Sequence, residues 1–543
     1  MQSVKIGVFP AEEFSRRRRL LQALGELFSL EFEPGREGDA TNDRAALLFG
    51  VTREAAIRIA GSGLRCLAFL KAEAVVKKSA TGSVCLASIP YLAPCFRGRT
   101  LPDSTIGLVS PLQPEAGDEV VARKGEDALW IHRPEQNSAV DLVATECPNL
   151  SDTDYLFQHF QRDDWARLLP LLHFLREVSA WEPPPLRACF MIDDPNLHWK
   201  SYGYIRYDQL VQHASAHSYH VSFATVPLDA WYVHPPTAAL FREHQSRLSL
   251  LVHGNNHTRT ELAQSYGDQH RQALMAQALN RIGQLEERSG LEVPRVMAAP
   301  HGACTEEMAQ ALLQTGFEAA CIGRGSLMKF NQNKAWPVTI GLNVAEFLGD
   351  GFPVISRHRL SMSESAEVDF CLAAFLGKPV IPNGHHEDLA HGLDLFRDIA
   401  NLINSMGQAL WMDMKAIARS NFCTCRKDEV LHVRMYSRVA QLRIPEGVQC
   451  LCIQRAWING EGHEGLKWRN RPMAFKTMSA YQGEPISAKP GDEMEIVSIC
   501  SNSVDPRTLP GPSTSLRAVT RRCLCEVRDR LKPALDRWRT FHL

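Results

Sequence analysis

The sequence predicts an α/β protein of several domains whose central, parallel-sheet domain carries the chemistry. The first observation is a set of short apolar segments that end in residues able to bind metal or move protons. Phe190–Ile192 runs into Asp193-Asp194-Pro195-Asn196, and Leu248–Val252 runs into His253-Gly254-Asn255-Asn256-His257. Val296–Ala299 runs into Pro300-His301-Gly302, and Val380–Pro382 into Asn383-Gly384-His385-His386-Glu387-Asp388. Val221–Thr225, ending at Val226-Pro227, is a less polar case. Strands that deliver polar residues at their C-terminal ends build sites in parallel sheets and barrels. The second observation is the helical patterns between these segments: Tyr207–His217, Gln269–Ser289, Glu306–Thr315 and Leu389–Met406. Repeated strand, loop and helix units imply a parallel sheet, closed or nearly so. The third is length, since 543 residues exceed one ordinary core.

In chain order, residues 1–150 alternate strand and helix. Val4–Phe9, Ala45–Phe49 and Cys66–Phe69 are apolar runs, and Phe14–Leu27 is amphipathic. This predicts a doubly wound α/β layer domain, flavodoxin-like or amidotransferase-like. No G-x-G-x-x-G follows its first strand, so no dinucleotide site is assigned. Residues 151–185 are a helical connector, with a stripe through Trp165, Leu168, Leu169, Leu172, Leu175 and Val178, closed by Pro183-Pro184-Pro185. Residues 186–426 hold the chemistry-bearing strand ends. From 427 to 543 the texture changes to short alternating runs: His432–Met435, Ala440–Ile444, Gln449–Gln454 and Glu493–Ile499. These predict an antiparallel β-sandwich, followed by an amphipathic helix over 516–538.

Composition narrows the function. The net charge of −1 and pI near 7 give no global field for nucleic acid or an anionic membrane. The basic run Arg16–Arg19 reads as a solvated helix face. Residues 1–10 carry no apolar signal core, and no run approaches the roughly 20 apolar residues of a membrane span. The 15 cysteines are an odd number, scattered. These features predict a cytoplasmic protein with free thiols and no membrane segment. The C-x-C pairs Cys423/Cys425, Cys450/Cys452 and Cys523/Cys525 read as core cysteines, with a structural metal site as the minor reading. Oligomeric state is not legible.

His253 and His257 are four residues apart, a spacing that puts both imidazoles on one face if the segment after the strand is helical. Alone, such a pair is weak evidence among 20 histidines. Asp193-Asp194 adds a second source of ligand. Adjacent carboxylates at a strand end repel, and a cation relieves that repulsion. One Asp can ligate while the other stays free as a base. Two histidines and one carboxylate leave a coordination position for water, the make-up of a catalytic zinc site. Asn196, Asn256, Pro300 and His301 stand where a polar, sugar-like ligand would touch the loops. Trp199, Tyr202, Tyr204 and Trp231 are aromatic residues suited to sugar faces.

Over residues of about 186–420 this pattern resembles the NodB-type polysaccharide deacetylases, carbohydrate esterase family 4 and its relatives. The resemblance implies a distorted (β/α)7 barrel. It implies Asp193 as general base, Asp194, His253 and His257 as zinc ligands, and His385 or His386 as general acid. In a strand these last two would face opposite ways, so only one enters the pocket. The departures from the family are specific. Asp-Asp-Pro-Asn replaces Asp-Asp-Gly-Pro. Ala298 stands where the family carries the arginine that orients the base; Arg295 is nearby, and Trp336 is a counterpart of the fourth-motif tryptophan. The resemblance implies a zinc-dependent hydrolase acting on an N-acylated carbohydrate. A metal amidase for a small non-sugar amide and a catalytically inactive carbohydrate-binding module are the alternatives.

Overall fold

The computed structural model of the protein describes residues 4–35, 45–71, 82–104, 111–135, 138–457, 466–468, 471–473, 475–476, 482–483, 485–500 and 502–542. The chain forms two compact units, residues 1–182 with 335–343, and residues 183–334 with 344–543.

The first unit is built on a nine-stranded sheet. Its strands are β1 (Val4–Phe9), β2 (Leu30–Pro34), β3 (Ala45–Val51), β4 (Arg65–Leu70), β5 (Gly82–Leu86), β6 (Thr100–Asp103), β7 (Glu119–Lys124), β8 (Asp127–Pro134) and β9 (Ala139–Val143). Their order is β2-β1-β3-β4-β9-β8-β7-β5-β6. The half from β2 to β9 is parallel, as the layer pattern predicts. The other half is antiparallel. Tight connections make the difference: Gly125, at φ 56°, turns β7 directly into β8, and so short a link reverses the chain.

Helix α1 (Arg18–Phe28) buries Leu20, Leu21, Ala23, Leu24 and Phe28. Within the basic run preceding it, Arg17 departs from the expected solvated face. It is buried and donates to the carbonyls of Cys147 (3.0 Å) and Pro148 (3.1 Å). Helix α2 (Trp165–Val178) is the expected connector helix, and it buries every residue from Trp165 to Leu175 except Arg167. A buried polar network pins β8 to β9. The Asp141 carboxylate accepts from Tyr91 Oη (2.8 Å) and Trp130 Nε1 (3.0 Å) and lies 3.1 Å from His132 Nδ1.

The second unit holds another nine-stranded sheet. Its strands are β10 (Phe190–Asp193), β11 (Val221–Thr225), β12 (Leu248–His253), β13 (Val296–Ala298), β14 (Ala319–Cys321), β15 (Glu346–Leu348), β16 (Phe352–Ile355), β17 (His358–Arg359) and β18 (Pro382–Gly384). The order is β15-β16-β14-β13-β12-β11-β10-β18-β17, and every pair except β15–β16 is parallel. Helices α3 (Tyr207–Ala216), α4 (Asp268–Ser289), α5 (Glu306–Thr315) and α6 (Asp394–Ser405) lie between strands or after them. Local chemistry bounds them. Thr305 caps α5 by accepting from Met308 N–H, and Gly290 at φ 66° and Gly316 at φ 102° end α4 and α5 in the left-handed conformation. The last apolar run is shifted from its expected bounds. Val380 makes only a bridge to Ala188, and the strand itself is Pro382–Gly384.

Downstream, β19 (Phe422–Lys427), β20 (Val430–Met435), β21 (Val439–Arg443), β22 (Cys450–Arg455) and β23 (Glu493–Ser498) fall close to the expected runs. They belong to two sheets whose buried residues share one core: Leu431, Val433, Leu451 and Ile453 from one, Ala440, Leu442, Met494 and Ile496 from the other. The pairing is not wholly antiparallel, because β20 and β22 run parallel. The intervening β21 crosses into the other sheet, so the chain re-enters the first in its original direction. Helix α7 (Leu516–His542) closes the chain. None of the 15 cysteines is in a disulfide, and no cysteine joins a metal-binding cluster among the described residues. No helix among the described residues is long and apolar enough to cross a membrane.

The Asp141 network gives a stability test. Asp141→Ala removes the acceptor shared by three buried groups, and a buried unsatisfied donor costs about 1–3 kcal/mol. The variant is expected to lower the urea midpoint of the first unit's transition, followed by Trp fluorescence.

Candidate metal centre

Strand β10 places Asp193 on the sheet and turns immediately after it. Asp194 takes φ 73°, a left-handed conformation that costs a non-glycine residue about 1–3 kcal/mol. That twist sends the two neighbouring carboxylates to different partners. Asp193, 3% exposed, pairs through Oδ2 with Arg357 Nη1 at 3.0 Å. Asp194 points Oδ1 at His257 Nε2 (2.8 Å) and His253 Nε2 (3.4 Å).

The two histidines are held for this purpose. His253 ends β12, and its Nδ1 lies 2.8 Å from the Ala298 carbonyl. Donation to that carbonyl fixes the proton on Nδ1 and leaves the Nε2 lone pair facing Asp194, the arrangement of a metal-binding histidine. His257 sits at the end of a tight loop, itself at φ 53°. Glu261, buried, shapes that loop: its carboxylate accepts from the backbone N–H groups of Asn255 (2.9 Å), Asn256 (2.9 Å) and His257 (3.1 Å). Gly254 has φ 61°, and a Cβ there would stand 2.6 Å from Pro300 Cγ and 2.8 Å from Glu261 Oε2. Only glycine fits.

Asp194, His253 and His257 bring one donor atom each within 4.8 Å of the others. Asp194 Oδ1 is buried and has no hydrogen bond of proper geometry despite the imidazoles beside it. A buried carboxylate oxygen facing two imidazole lone pairs fits a divalent cation, and the His2Asp donor set fits zinc. Burial raises the Asp194 pKa, but His253 and His257 outweigh it and hold the carboxyl well below its ordinary value. For Asp193, burial again works upward; Arg357, then His253 and His385, bring the net shift below the ordinary carboxylate value. Both carboxylates are therefore ionised at neutral pH.

The cation beside Asp193 is Arg357. It follows β16, reaches Asp193 with Nη1, and donates to the Ala299 carbonyl with Nη2 at 3.4 Å. The nearby Arg295 is committed elsewhere, to Glu286 at 2.7 and 2.8 Å. The signal for Arg357 is present in the sequence: Phe352–Ile355 is one more apolar strand running into Ser356-Arg357-His358. Trp336 lies in the segment 335–343, which clusters with the first unit, and is not among the residues of this centre.

His385 and His386 point apart, though not by strand alternation: the strand ends at Gly384, His385 caps the short helical turn His386–Leu389 and His386 opens it. His385, 52% exposed on its side chain, places Nε2 3.8 Å from Asp194 Oδ2. His386, 1% exposed, faces the other way, 3.4 Å from Glu387 and 3.5 Å from Asp529. It packs between Tyr202 and Tyr204, and Gly203 at φ 53° leaves the space its ring occupies. His386 is therefore not at the metal centre. Its neighbouring carboxylates already face cations, Lys532 at 3.4 Å from Glu387 and Arg528 at 2.6 Å from Asp529.

The expected ligand-contacting asparagines do other work. Asn196 is buried, its Oδ1 accepting from His198 N–H at 3.3 Å, a turn satisfied within itself. Asn256 accepts from Arg281 Nη1 at 2.9 Å. Pro300 is buried against Gly254. His301 is exposed at φ 56°, with its ring 5.5 Å from that of His257. Burial, then His257, lowers its pKa. Trp199 and Trp231 are exposed, at 53% and 66%.

No protein-family model and no curated protein matches the chain. Among solved structures it is similar to Agd3, described as a novel carbohydrate deacetylase. That alignment covers 92% of this chain and 99% of Agd3, at 7% identity and a TM-score of 0.49. A putative polysaccharide deacetylase from Mycobacterium smegmatis aligns at 14% identity and a TM-score of 0.31, covering 44% of this chain and 95% of its own. A Streptococcus mutans CE4 esterase aligns at 13% identity and 0.25, covering 42% and 86%.

Helix α7 contributes a part that the sequence pattern does not assign. Arg522, buried, bonds Asp229 and donates to the Asp194 carbonyl at 3.2 Å, with its guanidinium 3.8 Å from Asp194 Oδ1. Arg521 donates to the His257 carbonyl at 2.9 Å. Asp229 comes from the short helical turn Pro227–Asp229 after β11, the least polar of the strand ends.

Zinc content tests the centre. The wild type is expected to bind one equivalent by metal analysis after dialysis, and His253→Ala and Asp194→Ala to lose it. Glu261→Ala, which frees three backbone donors of the ligand loop, is expected to weaken zinc affinity about 10–100-fold in a chelator competition, as for other partners that orient ligands.

Proposed function

We propose that the protein is a metal-dependent hydrolase that removes an acetyl or related acyl group from the nitrogen of a carbohydrate. The observation that carries this reading is the division of labour within Asp193-Asp194. One carboxylate faces two histidines and the other is held ionised by an arginine, close by but outside the ligand set. The saccharide substrate follows from the sequence resemblance to the polysaccharide deacetylases, and with it comes the (β/α)7 barrel of that family. The exposed Trp199 and Trp231 supply flat apolar faces suited to sugar rings.

Asp194, His253 and His257 would hold zinc, which when bound supplies a water of pKa near 7 and polarises an acyl carbonyl. Asp193 accepts the proton of the attacking water, and Arg357 orients the carboxylate and keeps it in the basic form. The backbone N–H of His301, in its left-handed turn, serves as a donor to the developing oxyanion. His385, exposed at the rim, gives its proton to the departing amine. The arginine missing at Ala298 argues for an inactive binding module; Arg357 removes that reason.

Acetate release from N-acetylated oligosaccharides tests the reading. Asp193→Asn is expected to keep zinc and lose about 10²–10⁴ in kcat, the usual weight of a general base. His385→Ala should fall by a similar factor, while His386→Ala, away from the centre, should act on stability instead. A wild type that holds zinc yet releases no acetate from a broad panel would sink the proposal.

Arg357→Ala makes a pH prediction. Arg357 lowers the Asp193 pKa, so its removal raises that pKa. The base is then protonated at higher pH, and the acid limb of the kcat/KM profile should move upward. An unmoved limb would remove Arg357 from the mechanism.

A further inference from the structure

Next to the ligand loop the surface sinks into a cavity of about 780 Å³. It begins at His301 and Thr258, which adjoins the ligand His257, and is closed on its far side by the start of α7. Four permanent cations line it: Arg259 from the ligand loop, Lys329 after β14, and Arg517 and Arg521 from α7. No Asp or Glu lines it. Arg259, Lys329 and Arg517 are exposed, and none of the four forms an ion pair among the described residues. Arg521 is tied only to the His257 carbonyl, and Lys329 stands over the Phe330 ring at 5.5 Å.

Some arginines elsewhere in the unit are neutralised directly. Arg357, Arg419 and Arg522 each pair with a carboxylate. Unneutralised cations converging on one concavity repel one another and focus a positive potential there. The protein's net charge of −1 hides this local field. Since the Debye length is about 8 Å at physiological salt, the field acts on a group inside the cavity and not on a distant partner. The hydroxyls of Thr258, Thr260, Ser326 and Ser515 complete the lining, and hydroxyls and cations together suit an oxyanion on a sugar.

We propose that this cavity is an anion subsite, and that the substrate is an acidic N-acylated saccharide with a carboxylate, sulfate or phosphate on the sugar beside the one that is cleaved. The choice of a saccharide rests on the function proposed above; the preference for an anion rests on the cavity alone. Asp193 and the zinc ligands act on the acyl group, while the cavity receives the neighbouring unit and sets the register of the chain.

Binding and turnover separate the two claims. The zinc-loaded Asp193→Asn protein, which holds ligand without consuming it, is titrated by calorimetry with two tetrasaccharides. Hyaluronan tetrasaccharide carries glucuronate between its N-acetylglucosamine units, and tetra-N-acetylchitotetraose carries no charge. The acidic probe is expected to bind at least about tenfold more tightly, a difference of about 1.4 kcal/mol. The advantage should shrink as salt rises and collapse when Lys329→Glu and Arg517→Glu are added. Equal binding of the two probes to the protein without these changes overturns the proposal, as does a preference that survives both charge reversals. Chondroitin 4-sulfate tetrasaccharide, bound more tightly than hyaluronan, would assign the site to sulfate; the reverse order would assign it to carboxylate. Acetate release by the wild type is read separately. Preference without release removes the deacetylase reading and leaves the anion subsite; release without preference does the opposite.

Discussion

Two adjacent carboxylates at the end of β10 set the terms for everything around them. Asp193 and Asp194 are both held ionised, against the burial that favours their neutral forms. Like charges so close must be given separate cationic partners or share a proton. Asp193 is given a guanidinium, and Asp194 faces two imidazoles with which it would share a metal cation. The left-handed backbone at Asp194 turns the second carboxylate away from the first, and each then meets its own set. Arg357 takes Asp193, and the two imidazoles take Asp194. Two residues of the same type at consecutive positions thereby meet different environments.

Strain at the centre is offset by hydrogen bonding beneath it. Asp194, His257 and His301 all adopt φ between 53° and 73°. Each such residue costs on the order of 1–3 kcal/mol. Glu261 offsets part of this locally, since hydrogen bonds to a charged acceptor contribute about 1.5–3 kcal/mol each and it accepts from three successive N–H groups. The ligand loop is thus stiffened by a carboxylate outside the donor set. The Ala298 carbonyl does the same for the His253 ring from the next strand. At Ala298 the backbone carbonyl, not the side chain, makes this contact.

The C-terminal helix is part of the centre's wall. Arg522 joins Asp229 to the Asp194 backbone, and Arg521 holds the His257 carbonyl. The same helix covers the far side, where Asp529 meets His386 and Glu526 bonds the Trp199 indole at 3.2 Å. More than two hundred residues of sequence separate these arginines from the loops they brace. An amphipathic helix with many arginines looks like a surface element when read alone; here several of its charges are structural partners of the site.

Much of the second unit is legible in the sequence because an apolar run of three to five residues that stops at a polar cluster is too short for a helix and too apolar for a loop. Asp193-Asp194, His253 and His257 stand at strand ends as that pattern requires, and α5 has the bounds its periodicity predicts. The sequence reading sets His385 and His386 in a strand, where only one would face the pocket; the strand ends at Gly384, and the two diverge because His385 caps the short helical turn that His386 opens. Arg357 escapes the motif pattern because it stands far along the chain from Ala298, although its strand, Phe352–Ile355, obeys the same rule as the others. Asn196 defeats a sequence reading because a turn asparagine and a ligand-facing one look alike until their partners are known. The sequence by itself determined which residue types could hold a metal and act as a base, since composition and local periodicity encode side-chain chemistry and strand ends. Only the tertiary structure decided that Arg357 meets Asp193, that α7 bonds the loops carrying Asp194 and His257, and that four cations without an ion pair among the described residues line one cavity. Those are encounters between distant segments, and their distances are set by how the sheet and helices pack, which no local pattern records.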